Sequence, residues 1–140
     1  MQNRRLENRV ALIDGAGRCI GREIARALAD EGAIVVVTDA DLNRAKETCT
    51  EIGGSRAMQL DVTSLESARS IANRIEREIG PIEILANNAG VSTMAPIWDL
   101  TERDWEFTFD VNVKGVFLVT QAVIPAMMER KRGWIIKNAS

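Results

Sequence analysis

Seven residues, Gly15-Ala16-Gly17-Arg18-Cys19-Ile20-Gly21, follow a short apolar run and open a periodic one. Glycines at a strand-to-helix turn let the backbone approach a pyrophosphate, which the free N–H groups of the helix start attract. A glycine cluster alone serves any tight turn. Here, however, an acid, Asp39, ends the next apolar run, Ile34-Val35-Val36-Val37-Thr38, where a carboxylate accepts hydrogen bonds from a ribose. The alternative for Asp39 is a turn residue or helix cap. Turn, helix and acid in this order point to a dinucleotide. Two further polar features stand out: Asn87-Asn88-Ala89-Gly90 after another buried run, and Asn112 within a largely apolar helical stretch. An amide on such a helix is costly unless hydrogen-bonded, so Asn112 must have a specific partner.

Other chemistries are poorly served. The chain has no histidine, and Cys19 and Cys49 form no CxxC, so no metal site is expected. Two isolated cysteines make no disulfide framework and suit a reducing compartment, which makes a cytoplasmic location the expectation. A net charge of −2 gives no basic footprint, so no nucleic-acid partner is expected. The apolar run Val10–Ile13 is too short for a signal-peptide core, and no stretch reads as a membrane span.

The elements that must carry these residues alternate. Val10–Ile13, Ile34–Val37, Met58–Leu60, Ile82–Ala86 and Trp134–Ile136 read as strands buried on both faces, as in a parallel sheet. Between them lie helical stripes. Ile20, Ile24 and Leu28 form one, with Gly32 at a left-handed C-cap position; Leu42, Ala45, Cys49 and Ile52 form the next, closed by Gly53-Gly54. Thr63-x-x-Glu66 has the capping-box pattern ahead of Ala68, Ile71, Ala72, Ile75 and Ile79, and Gly80-Pro81 ends that helix. A fourth helical region begins after Thr101, with Asp104 at the capping-box position, and runs to about Met128. Pro125 is expected to kink or end it early. Hydrophobic content of 46% over 140 residues suffices for one folded domain, residues 1–140. The pattern predicts an α/β fold, a doubly wound parallel sheet of the Rossmann type, built of right-handed βαβ units.

Gly15 through Gly21, Asp61-Val62, Asn87 through Gly90, Asn112 in Val111-Asn112-Val113 and Ile135 through Ser140 occur in the order of the short-chain dehydrogenase/reductase family, which the whole chain resembles. The resemblance implies a nicotinamide-dependent oxidoreductase acting on a secondary alcohol or ketone. It makes Gly15, Gly17 and Gly21 the phosphate-loop glycines, with Arg18 and Cys19 between them and Ile20 packing beside the cofactor. It sets Asp61 and Val62 at the adenine ring and Asn88, Ala89 and Gly90 along the adenosine ribose. Asn112 then holds a water of the proton relay, and Ser140 hydrogen-bonds the substrate oxygen. The family's fold continues past this serine and commonly forms homotetramers or dimers, with the helix around Val111–Met128 at an interface. The sheet here is therefore expected to be incomplete on its C-terminal side.

Three positions depart from the family pattern. Asp14 stands where threonine is usual, Cys19 replaces the middle glycine, and Lys137 stands where asparagine is frequent. A negative charge ~6 Å from a phosphate charge at an effective dielectric of ~20 is unfavourable by roughly 3 kcal/mol. Asp14 must therefore turn away, accept backbone hydrogen bonds or lower affinity. Cys19 either crowds the phosphate approach or acts as a thiol activated by a helix N-terminus. Asp39 favours NAD over NADP, whereas Arg18 lies where NADP-preferring relatives often carry a basic residue; the carboxylate is the stronger discriminator.

The chain has no tyrosine, whereas the family's general acid/base is a Tyr-x-x-x-Lys pair beyond the serine. The expectation is a piece of a longer NAD-dependent enzyme, catalytically incomplete by itself. The alternatives are a non-catalytic nucleotide-binding module or inactive partner subunit, and a methyltransferase-like domain, which the Asn87–Gly90 run fits poorly.

Overall fold

A computed structural model describes residues 4–139. The predicted alternation is present: β1 (Val10–Ile13), α1 (Cys19–Asp30), β2 (Ile34–Asp39), α2 (Leu42–Glu51), β3 (Arg56–Gln59), α3 (Leu65–Glu78), β4 (Ile82–Asn87), α4 (Glu102–Phe109), a π-helical turn (Asp110–Lys114), α5 (Gly115–Arg130) and β5 (Trp134–Lys137). All pairings are parallel, and the strand order is β3-β2-β1-β4-β5. The chain works outward from β1 to β3, then crosses back to β4. That reversal opens a crevice at the carboxyl ends of β1 and β4, where this architecture takes ligands.

Residue alternation along the strands builds two cores. Val10 and Leu12 of β1, Val36 of β2 and Leu85 of β4 face Ala68, Ala72 and Ile75 of α3 and Val119, Val123 and Met127 of α5. Their neighbours Ala11, Ile13, Val35, Val37, Ile84 and Ala86 face Ala25 of α1, Ala45 of α2 and Ile52. Burying a side chain the size of Leu12, Ile75 or Leu85 stabilises the fold by about 1.5–3 kcal/mol. The paired faces explain why these strands read as continuous apolar runs.

Several helix ends follow the expected chemistry. Gly32 and Gly54 adopt φ of +93° and +79° just past α1 and α2. Thr101 and Asp104 form a complete capping box at α4. Other details differ from the expectation. The cap of α3 is Ser64, whose hydroxyl accepts from the Ser67 N–H at 3.1 Å; Thr63 instead bonds Asp61. Ile20 leaves its stripe and is 62% exposed, while Ile24 and Leu28 pack on the core.

Pro125 neither ends nor breaks α5, which continues to Arg130. Pro125 and Gln121, the residue whose carbonyl loses its donor, are both exposed, so the lost bond falls away from the core. The expectation that no stretch reads as a membrane span also needs correction. Helical residues 102–130 are long and apolar enough to cross one by length and composition. Leu118, Val119, Val123 and Met127 nevertheless bury the inner face of α5. β1 has its predicted ends, β2, β4 and β5 extend one or two residues beyond theirs, and β3 runs Arg56–Gln59 rather than Met58–Leu60.

Candidate functional site

The crevice is an open cleft of about 1580 Å³. Of the residues singled out from sequence, Gly15, Arg18, Cys19, Ile20, Gly21, Asp39, Asp61, Val62, Asn88, Ala89, Gly90 and Asn112 line it. Gly17 does not. It lies beneath the surface, where a Cβ would fall 2.6 Å from both Asp39 Oδ2 and Arg44 Cβ. Ser140 lies outside the described residues.

The glycine turn is dictated by what it packs against. Gly15 has φ +61°, and a Cβ there would lie 2.6 Å from the Ala89 Cα. A Cβ on Gly21 would collide with the Gly15 carbonyl oxygen and come 2.5 Å from Asn88 Nδ2. These glycines let the start of α1 sit directly on the tip of β4. Cys19 occupies the turn with φ +49°, a left-handed conformation at which glycine is at ease and other residues are strained. Its side chain is exposed at the cleft. The N-cap residue of α1, Arg18, makes no side-chain capping bond, and the first turn carries no acid. The helix start thus presents an uncapped positive end to the cleft.

Asp14 resolves the conflict expected of it. It is 2% exposed. Its Oδ1 accepts the Asn88 N–H at 2.7 Å and the Ala89 N–H at 2.6 Å. Burial pushes its pKa up to about 6, partly offset by the two backbone bonds. Asn88 completes the junction, donating from Nδ2 to the Gly15 carbonyl at 3.0 Å. The preceding Asn87 plays a different part: it is buried, does not line the cleft, and donates from Nδ2 to Thr120 Oγ1.

Asp39 is the turn residue that its alternative reading expects, and it also lines the cleft. Oδ2 accepts from the Gly17 N–H at 3.1 Å and Oδ1 from the Asp41 N–H at 3.0 Å, so it shapes the turn while its carboxylate lines the cleft. Asp61 bonds the Thr63 N–H and hydroxyl through Oδ1, at 2.9 and 2.6 Å. Val62 is buried against Gly115, where an added Cβ would lie 2.7 Å from Val62 Cγ2. Asn112 sits in the π-helical turn and finds the partner its position demands. Oδ1 accepts the Val91 N–H at 2.8 Å and Nδ2 donates to the Val91 carbonyl at 2.9 Å, fixing the chain just beyond Gly90. Turns of this kind are frequent at functional sites.

Sequence reading missed three supporting groups. Arg22 donates to the Gly17 carbonyl at 3.1 Å and to Thr48 Oγ1 at 3.2 Å, and Thr48 donates to the Ala16 carbonyl at 3.1 Å. Together they occupy two carbonyls of the glycine turn. Asn138 donates from Nδ2 to Asn88 Oδ1 at 2.8 Å. Arg22 and Thr48 are common types on ordinary helices; only their partners distinguish them. Among the described residues no group of three or more Cys, Asp or Glu could hold a metal ion.

Comparison with known proteins agrees with this geometry. A family model described as short chain dehydrogenase matches residues 9–140. Galactitol 2-dehydrogenase of Agrobacterium fabrum is 44% identical over 135 residues, covering 96% of this chain and 53% of that protein. D-threitol dehydrogenase of Mycolicibacterium smegmatis is 37% identical over 140 residues, covering 97% and 54%. The crystal structure of a short-chain type dehydrogenase/reductase from Mycobacterium marinum superposes with a TM-score of 0.93 at 32% identity, covering 99% of this chain and 56% of that one. The chain spans about half the length of the curated relatives it matches.

Proposed function

The chain belongs to the short-chain dehydrogenase family, and on that premise we propose that it is the nucleotide-binding part of an NAD-preferring oxidoreductase acting on a secondary alcohol or its ketone. The observation that carries this reading is the cleft itself: an uncapped helix start above a glycine turn, with a carboxylate at the tip of β2. These residues fit a dinucleotide. The N–H groups at the start of α1 meet a pyrophosphate, Asp39 takes the adenosine ribose hydroxyls, and Asp61 and Val62 border the base. When bound, nicotinamide supplies the hydride acceptor or donor.

The chain's own contribution is placement. Asp14, Asn88 and Gly15 hold the β1 and β4 tips together beneath the cofactor. Arg22 and Thr48 hold the turn carbonyls of Gly17 and Ala16, and Asn112 fixes the segment after Gly90, on the side where the substrate enters. Ser140 is assigned to the substrate oxygen through the family resemblance. Asp39 favours NAD because a carboxylate repels an additional phosphate; Arg18 and Arg44 border the same cleft and moderate that preference.

A polyol substrate is favoured by the galactitol and D-threitol dehydrogenases among the relatives. Without a tyrosine, the 140-residue chain is proposed to bind the nucleotide without turnover. The apolar outer face of residues 102–130 is the proposed contact with further subunits, and two free cysteines suit a reducing, cytoplasmic setting. Fluorescence titration with NADH and NADPH tests the cofactor reading. The expected result is NADH binding at least about tenfold tighter, a difference of about 1.4 kcal/mol, which Asp39→Ser removes. Equal affinities in the unmodified chain would overturn the NAD preference, and no binding of either would overturn the dinucleotide site.

A further inference from the structure

Asp14 is a carboxyl group enclosed at the end of β1, immediately before a glycine that lines the cleft. Its two hydrogen bonds come from backbone amides, and both reach the same oxygen, Oδ1. Oδ2 accepts none among the described residues. The charged groups on the surrounding elements are engaged elsewhere. Asp39 at the tip of β2 accepts from the Gly17 and Asp41 amides, and Arg22 of α1 pairs with Glu51 of α2. Asp61, after β3, bonds Thr63, and Asp110 of the π-helical turn pairs with Lys114. Arg18 caps α1 without bonding Asp14, and Lys137 of β5 stands in register with Asn87. Among the described residues no cation therefore pairs with the Asp14 carboxylate. Burial is the dominant influence on it and raises its pKa to about 6.

We propose that Asp14 makes cofactor binding proton-linked: when the dinucleotide's pyrophosphate enters the cleft, Asp14 takes up a proton from solvent on Oδ2, and affinity rises as the solution becomes more acidic. This rests on the dinucleotide reading given above. An anion placed beside an uncompensated buried carboxylate disfavours its charged form, because the enclosed site screens the repulsion poorly. Protonation leaves Oδ1 free to keep accepting both amides, so the β1–β4 junction survives the loss of charge. The family's usual threonine has no charge to lose at this position, and the linkage belongs to this chain's aspartate.

The test uses ADP-ribose, which carries the pyrophosphate and both riboses without a charged nicotinamide. Calorimetric titration of the full chain between about pH 5 and pH 8, in two buffers of different ionisation enthalpy, reads affinity and proton uptake together. If binding raises the Asp14 pKa by a further unit, affinity tightens about tenfold across that range. A fraction of a proton is then taken up, most strongly near the middle of the range.

Asp14→Asn, which keeps an oxygen for the two amides, is expected to show a flat profile near the tight, low-pH affinity of the unmodified chain. Asp14→Thr provides the same comparison should the asparagine variant misfold. Carbon NMR of the Asp14 carboxyl, with and without ADP-ribose, needs no variant and must show its titration moving upward on binding. An unshifted titration, a flat profile in the unmodified chain, or an unchanged profile in a folded variant would overturn the linkage while leaving the binding site standing. Absence of ADP-ribose binding at every pH by a folded chain would overturn the site and the linkage together.

Discussion

The tips of β1, β2 and β4 and the outer surface of residues 102–130 are built to opposite rules. At the tips, Gly15, Asp14, Asn88, Ala89 and Asp39 interlock through hydrogen bonds of 2.6–3.1 Å, with a glycine wherever two backbones touch. On the outer surface Trp105 stacks on Phe109 with ring centroids 4.1 Å apart and Met128 is exposed, whereas Phe107, Val113 and Phe117 of the same stretch line the cleft. The strand beyond, β5, exposes Trp134 and Ile136 and, among the described residues, pairs on one edge only. The first region is held together by partners within this chain: Asp14 Oδ1 accepts the Asn88 N–H, Asn88 donates to the Gly15 carbonyl and Asp39 accepts the Gly17 N–H. The second presents apolar area that stays exposed among the described residues, apart from the Trp134 ring that the Arg9 guanidinium covers at 5.0 Å, and the chain covers about half the length of its relatives.

Substitutions at the tips should be far costlier than substitutions on the outer face. The largest expected effect is that of Gly21→Ala, which forces a Cβ into the Gly15 carbonyl and the Asn88 amide. A loss of about 3 kcal/mol or more is expected, together with loss of nucleotide binding, both readable by urea denaturation and titration with NADH. Retained stability would mean that the turn relaxes, and the contrast between the regions would weaken.

Asp14→Asn comes next and changes with pH. Folding raises the Asp14 pKa from 3.8 to about 6, so the folded chain holds this proton more tightly than the unfolded one. The group's favourable contribution is fully present below about pH 3.8 and is lost as pH rises through about 6. The variant should therefore be more stable than the parent at pH 8, by up to roughly 3 kcal/mol, and the gap should close in acid. Thermal melts of both chains across that range check the sign.

Asn112→Ala removes two bonds to the Val91 backbone. At about 1 kcal/mol each, the expected loss is about 2 kcal/mol, with faster amide exchange at Val91. Met128→Ser, by contrast, should change stability by less than about 0.5 kcal/mol, because the residue is 68% exposed. A large loss there would show that the outer face is packed after all.

The legibility of these regions follows the range of their interactions. Strand–helix alternation, the helix-ending glycines and the Thr101–Asp104 box depend on neighbours in sequence, and each is present in the structure. Asp14 was legible only as a conflict, since its partners Asn88 and Ala89 lie 74 and 75 residues away. Thr48 and Arg22 gave no signal because nothing local marks a side chain that will hold a distant carbonyl. Pro125 misled because sequence pattern does not say which side of a helix faces out. The Ser64 cap displaced Thr63 by one residue, because Asp61 was the nearer partner for Thr63.

The π-helical turn at Asp110–Lys114 bears on how residues can be gained or lost along this chain. Such a turn holds one residue more than an α-helical turn, so the 102–130 stretch carries a tolerated insertion in the middle of a continuous helix. Each residue of an α-helix turns it by about 100°. Because the wider turn spreads its residues over about the angle that one residue fewer spans in an α-helix, a one-residue deletion within 110–114 would leave Thr101–Phe109 close to its present phase against α5 yet pull the Asn112 amide off Val91. Point substitutions leave the residue count intact. The width of this turn, more than the identity of most residues in it, is what brings Asn112 against Val91.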